Sequence, residues 1–329
     1  QEYSLNARAE LTENVELKWS SSFRADYTFE ELLLETGEIT DKTRRYRTRL
    51  QPGLLIDLSE SSYLQANIPL RFVDYRTDSE RDNRDYTVLG LELTLGHALT
   101  PRTTLLLSGL FTRVDIDDLD LMGLDALGNE VQYGRFDQSQ HIYQALAGFQ
   151  RELSDTMTLY LQAGVSLTQS EFTMRLPVPS ANFILALQEE EIDTEDVGFV
   201  IDSELDMELP VGRLSLQGSR RVLQDANGQS LTRDQLSCQW STFLRQDTSA
   251  FITGKVVRSK STQDENLPLS SRIDNQLYRL ALGLEQRLGR NAWLQAKYIY
   301  LGIDDQEDNE FKDRNRVILQ LTWEWPLEL

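Results

Sequence analysis

The 329-residue chain is poor in the side chains on which most enzyme chemistry rests, with one cysteine, Cys238, and two histidines, His97 and His141. A single cysteine forms no intramolecular disulfide and no thiolate cluster for zinc or iron–sulfur chemistry. Leu236, Cys238 and Trp240 alternate onto one strand face, so Cys238 reads as a small apolar residue. Basic residues are scarce too: 33 Lys and Arg stand against 53 Asp and Glu, a formal charge of -20. That balance repels phosphate backbones, and no Lys/Arg-rich run overrides it locally, which argues against a nucleic-acid partner. Long hydrophobic runs are missing as well; no stretch approaches the roughly 18 apolar residues of a membrane helix. A membrane barrel stays open, because its strands need only about 9–11 residues with alternate ones toward lipid.

What the chain has instead is a period of two. Val317, Leu319, Leu321, Trp323, Trp325, Leu327 and Leu329 are apolar, while Arg316, Gln320, Thr322, Glu324 and Glu328 occupy the other face. The same alternation runs through Leu64, Ala66, Ile68, Leu70 and Phe72, through Leu89, Leu91, Leu93 and Leu95, and through Met157, Leu159, Leu161, Ala163, Val165 and Leu167. It predicts fourteen strands, near 3–19, 43–58, 63–75, 85–99, 104–116, 139–153, 157–173, 196–209, 212–224, 231–246, 249–259, 275–288, 292–303 and 314–325. Thr12-Glu13-Asn14 would split the first strand and give fifteen, but the apolar phase continues from Tyr3 to Trp19. An even count also suits a bacterial barrel with both termini on the periplasmic side.

Connections alternate in length. Ser59–Ser62, Thr100–Thr103, Ser154–Thr156, Pro210–Val211, Asp247–Thr248 and Gly289–Asn291 are short and turn-like. Between them fall longer, mostly acidic connections near 20–42, 76–84, 117–138, 174–195, 260–274 and 304–313. The junction at Asn227-Gly228 departs from this pattern as a tight hairpin signal. A soluble β-sandwich also alternates, but its connections do not sort by length with every second junction. The expectation is one transmembrane antiparallel β-barrel over residues 1–329, with short periplasmic turns and longer acidic extracellular loops, in a Gram-negative outer membrane. The start at Gln1 rather than Met is what removal of a secretory signal peptide would leave.

Ala9-Glu10-Leu11-Thr12-Glu13-Asn14-Val15, followed after a charged segment by Arg49-Leu50-Gln51-Pro52-Gly53-Leu54-Leu55, resembles the opening of the β-barrel porins associated with exopolysaccharide and exosortase gene sets. The resemblance implies a porin-like channel or a conduit for polymer export.

The polar face of the strands supplies the candidate site. Arg45, Arg47, Arg49 and Arg71 cluster on the second and third predicted strands, and Asp202, Glu204, Asp206 and Glu208 form a ladder on the eighth. Facing each other across a watery pore, they would set up a transverse field. The alternative is that Arg213 and Arg221 on the next strand neutralise the acidic ladder locally. The run from Pro177 to Leu187 is too apolar for a solvated loop, which makes Phe183, Ile184, Leu185 and Leu187 a candidate plug or partner-binding segment.

No catalytic residue is assigned. His97 and His141 fall at opposite strand ends, and Asp137, Ser139 and His141 lack a nucleophile-elbow motif. The acidic segments around Asp118 and Asp304 fail the calcium-loop template, so no metal and no cofactor is expected. The function expected is a channel for hydrophilic solutes or an exopolysaccharide. The alternatives are a closed scaffold barrel holding a lipoprotein, an export component or an electron-transfer partner, and an outer-membrane hydrolase. Lipid and lipopolysaccharide are the expected surroundings.

The face assignment has a direct test. Leu91→Arg places a charge toward lipid, where it costs about 2–4 kcal/mol at the bilayer midplane, and should depress folding into liposomes. Thr94→Arg points inward and should fold as the parent does; equal behaviour of the two by gel-shift folding assay would refute the phase.

Overall fold

The computed structural model describes residues 2–27, 44–76, 85–124, 130–179, 185–224, 230–261, 274–289, 291–306 and 310–323. They form sixteen strands: β1 (Glu2–Thr12), β2 (Val15–Tyr27), β3 (Arg44–Ser59), β4 (Ser62–Asn67), β5 (Leu70–Arg76), β6 (Tyr86–Thr100), β7 (Thr103–Leu124), β8 (Glu130–Ser154), β9 (Met157–Pro179), β10 (Leu185–Leu209), β11 (Gly212–Gln224), β12 (Ser230–Arg245), β13 (Thr248–Ser261), β14 (Asp274–Arg287), β15 (Ala292–Asp305) and β16 (Glu310–Trp323). Every strand pairs antiparallel with its neighbours in one sheet, and β4 and β5 share a single place between β3 and β6. The wall therefore has fifteen positions. Its curl is visible inside, where residues of β3 through β12 line one cavity. The fold is a transmembrane antiparallel β-barrel.

Two strand counts differ from the expected fourteen, each for a physical reason. Residues 3–19 are not one strand: Glu13-Asn14 turn the chain, and β1 folds back on β2. Ala7 pairs with Trp19 and Ala9 with Leu17, odd residue with odd, so the apolar phase passes through the hairpin unchanged. Alternation is blind to such a turn. The break between β4 and β5 comes from Pro69, which has no N–H to give the ladder. Ile68 N–H instead reaches the Pro52 carbonyl at 2.9 Å, and Gly90 N–H reaches the Pro69 carbonyl at 2.8 Å. A Cβ on Gly90 would lie 2.6 Å from Pro69 Cγ, so only glycine admits this close approach.

With fifteen positions, β1 and β16 run in the same direction. Among the described residues no ladder joins them, and from Tyr3 and Phe311 onward both are exposed on nearly every residue. The even count expected from termini sharing one rim is thus replaced by strands that begin and end on opposite rims.

The outer face is apolar over a limited height. On β6 the exposed Leu89, Leu91, Leu93, Leu95 and Leu99 span ten residue steps. At ~3.4 Å per residue and ~45° tilt this is a band about 24 Å tall, matching the apolar girdle of such barrels. The strands β7 to β10 are far longer, 22, 25, 23 and 25 residues. Their ladders locate the edge of the girdle. Phe111, Tyr143, Leu167 and Val197 form one row across the four strands. The next row is Arg113, His141, Gln169 and Glu195, and the one beyond it is Asp115, Ser139, Glu171 and Asp193. The change from apolar to charged at a single level marks where lipid gives way to water.

The long connections expected at 117–138 and 174–195 are consequently mostly ladder. β9 and β10 pair without a register shift from Met157↔Met207 to Pro179↔Leu185. Leu185 and Leu187 thus belong to the arm of a long hairpin rather than to an irregular plug loop, while Phe183 and Ile184 lie outside the described residues.

The boundary between rows is measurable. With Cys238 replaced by Ser, a bimane label at Val165→Cys should be quenched by spin-labelled acyl chains in liposomes, and one at Glu171→Cys should not. Equal quenching would put the boundary elsewhere.

Candidate functional site: the lumen wall

Inward positions follow directly from the girdle. Odd residues of β3 and β5 carry arginines, and Arg45 and Arg47 are 0% and 3% exposed. Arg49 stands opposite Arg71, and Arg47 opposite Val73. Even residues of β10 carry the acidic ladder, which is half-buried from Asp202 to Asp206 and exposed at Glu208.

One cavity of about 690 Å³ brings part of the two sets together. Arg49 and Arg71 line it from one side, Asp202 and Arg221 from the other, with Tyr160 between them. Arg45, Arg47, Glu204, Asp206 and Glu208 do not line it. A second cavity of about 670 Å³ shares Tyr160, Asp202, Arg221 and Arg233 with the first and adds Glu204, Gln217 and Lys255. Together they make an interior whose wall mixes these polar groups with apolar side chains such as Leu106, Val114, Ile142 and Val200.

The acidic ladder is compensated locally. Arg221 Nη2 lies 2.7 Å from Asp202 Oδ2, and Arg213 Nη2 lies 3.3 Å from Asp206 Oδ2. Gln217 Nε2 donates to Glu204 Oε1 at 3.0 Å, and Glu208 stands opposite Arg213 in the ladder. The neighbouring strand was the alternative weighed against a field spanning the pore, and the geometry favours it. Both pairs are well exposed to the lumen, so each contributes at most ~1 kcal/mol to stability. Their effect is on the field: two of four acidic rungs face an arginine rather than the open interior.

Cations missed in the sequence, Arg233, Lys255, Arg279 and Lys297, line the wall beyond the ladder. Arg233 stands opposite Arg221, and Lys255 opposite Arg279, all inward. Lys297 follows on β15, its ammonium 5.7 Å from the centre of the Phe251 ring. That ring covers Gly283, where an added Cβ would sit 2.2 Å from the ring edge. Each of these cations is a single charge in its own strand, and only the ladder register assembles them.

The histidines form no catalytic centre among the described residues. Ser62 Oγ and His97 Nδ1 are 2.8 Å apart on the outer face near the short turns, and no carboxylate orients the ring. His141 stacks on Phe111 at 6.1 Å at the edge of the girdle. Ser139 Oγ reaches Glu171 at 3.5 Å. No group of three or more metal-ligating side chains occurs among the described residues.

At the rim of the long connections, Asp85 accepts the Tyr75 N–H at 2.6 Å. Burial raises its pKa above the usual carboxylate value; the Tyr75 N–H opposes this, and the nearby Asp74 and Asp117 add to it. The folded state therefore holds the Asp85 proton more tightly than the unfolded chain does. This group's contribution is fully present below pH 3.8 and is lost as pH rises through the folded pKa. Asp85→Asn, which keeps an acceptor for Tyr75, should stabilise the protein at pH 8 and leave it unchanged near pH 3. Urea unfolding of both variants at the two pH values measures this, and a variant less stable at pH 8 would overturn it.

No family model matches the chain, and no curated protein matches it in sequence. Solved structures do match in fold, and those with the fold in common include outer-membrane β-barrel transporters. The ferric citrate transporter FecA in its unliganded form superposes with a TM-score of 0.56 at 9% identity, over 97% of this chain and 54% of that one. The copper transporter OprC gives 0.54 at 11% identity, over 98% and 56%. The ferric yersiniabactin uptake receptor FyuA from Yersinia pestis gives 0.52 at 11%, over 98% and 62%. The chain spans little more than half the length of these transporters, and at such identities the likeness is one of fold.

Proposed function

We propose that the chain is an outer-membrane channel of a Gram-negative bacterium, through which hydrophilic solutes pass without energy supplied by the chain itself. The observation that carries this reading is the set of inward ionisable side chains, Arg49, Arg71, Asp202, Arg221 and Arg233 among them, that line cavities of about 690 and 670 Å³. Ionisable groups at membrane depth are costly, and in membrane proteins they mark the paths that water and ions take. Apolar residues outside and charged residues inside are the partition a conducting barrel requires. In this reading the short turns face the periplasm and β7 to β10 rise on the outer side.

Export of a polymer such as an exopolysaccharide is the narrower form, supported by the resemblance at residues 9–15 and 49–55. The scaffold reading is favoured by a different observation: among the described residues no ladder joins β1 to β16, and their edges offer a protein partner a strand to add to. Planar-bilayer recording of the purified protein separates channel from scaffold. The channel reading expects long-lived, ohmic current steps. A silent protein that nevertheless folds and inserts would refute it in favour of the scaffold.

A further inference from the structure

The inward cations of β11 to β14 are arranged at a cost. Arg221 and Arg233 are directly opposite one another in the ladder, and so are Lys255 and Arg279. Like charges directly opposite destabilise a sheet. Asp202 relieves Arg221 through the 2.7 Å ion pair. Lys255 and Arg279 have no such relief: among the described residues no carboxylate pairs with either. Lys255 is half-buried in the wall of the 670 Å³ cavity, where Arg221, Arg233 and Lys255 meet Asp202 and Glu204. One of those carboxylates is consumed by Arg221 and the other accepts from Gln217. Lys297 continues the same sign on β15, beside Phe251. A chain with a formal charge of -20 has thus gathered cations on one stretch of its inner wall.

We propose that Lys255, in the wall of the 670 Å³ cavity, and Arg279, directly opposite it in the ladder, form an anion-binding subsite on the lumen wall, which takes a solute bearing phosphate, sulfate or clustered carboxylate groups. Such a group supplies what the wall lacks, a negative charge placed between facing cations. Guanidinium groups bind these oxygens with charge-assisted, bidentate hydrogen bonds, and the lysine adds a point charge. The side chains of Gln235 and Ser219 and the Tyr160 hydroxyl also line the cavity and can complete the hydrogen bonding of the oxygens. The cations face inward, which sets the site apart from phosphates of the surrounding lipopolysaccharide. Of the two ladder carboxylates that line the cavity, Asp202 is paired with Arg221, and neither is paired with Lys255 or Arg279. The subsite deepens the channel reading, since it names the class of solute, yet binding is measurable without conduction.

The test uses the full chain in detergent, with inorganic pyrophosphate as the probe and titration calorimetry as the readout. Saturable binding is expected, weakened about tenfold or more in Lys255→Gln/Arg279→Gln. Lys255→Arg/Arg279→Lys, which keeps both charges, should retain most of the affinity. Lys18→Gln, at an inward lysine 3.7 Å from Glu16 on β2, should bind as the parent does. Heat-modifiability on gels establishes that each variant is folded; should the neutral pair fail to fold, either single neutral variant serves in its place. Absence of saturable binding up to roughly 10 mM, or binding indifferent to removal of the two charges, overturns the proposal. Conduction without pyrophosphate binding would sink the subsite and spare the channel. Binding without conduction would do the reverse.

Discussion

Hydrocarbon offers backbone N–H and C=O groups no partner, and each group left unpaired there costs several kcal/mol. The architecture of this chain follows from that constraint. Sixteen strands pair edge to edge with few register shifts, and where Pro69 cannot donate, Ile68 and Gly90 re-route the hydrogen bonds to the Pro52 and Pro69 carbonyls. The close approach at Gly90 is part of the same repair. Once the ladder is satisfied, side chains are left to divide between lipid and lumen. The ladder stops at β1 and β16, which run alike, so a direct seam between them would have parallel pairing, unlike every other junction in the wall.

The division of side chains concentrates charge inside. Arginines from β3 and β5 and carboxylates from β10 project inward, and the strands that carry them are apolar on the other face. Arg221 links the two halves of this arrangement. It compensates Asp202 and at the same time stands opposite Arg233, so one side chain closes the acidic stretch and opens the basic one.

Alternation made the barrel class, the lipid face and the short turns legible in the sequence, because each depends on period and local turn chemistry. The lumen site was legible only in part. The ladder Asp202, Glu204, Asp206 and Glu208 lies in consecutive inward positions of one strand and is visible in the sequence; Lys255 and Arg279 are isolated in theirs and meet only through register. The first hairpin escaped because Ala7 and Trp19 pair in phase. The extension of β9 and β10 escaped for a different cause: beyond Val197 the outward residues become Glu195, Asp193 and Glu191, which look like a loop when the partner strand is out of view. A strand leaving lipid loses its apolar face without losing its hydrogen bonds.

That extension gives the mouth a lopsided profile. At ~3.3 Å per residue and a tilt near 45°, β10 with its 25 residues rises about 58 Å, whereas β13 and β14 with 14 residues each rise about 33 Å. Among the described residues the rim is thus a weir with one high bank, faced by Glu191, Asp193 and Glu195. In the proposed channel that bank would turn negative charge away, while Lys255 and Arg279 stand on the two shorter strands.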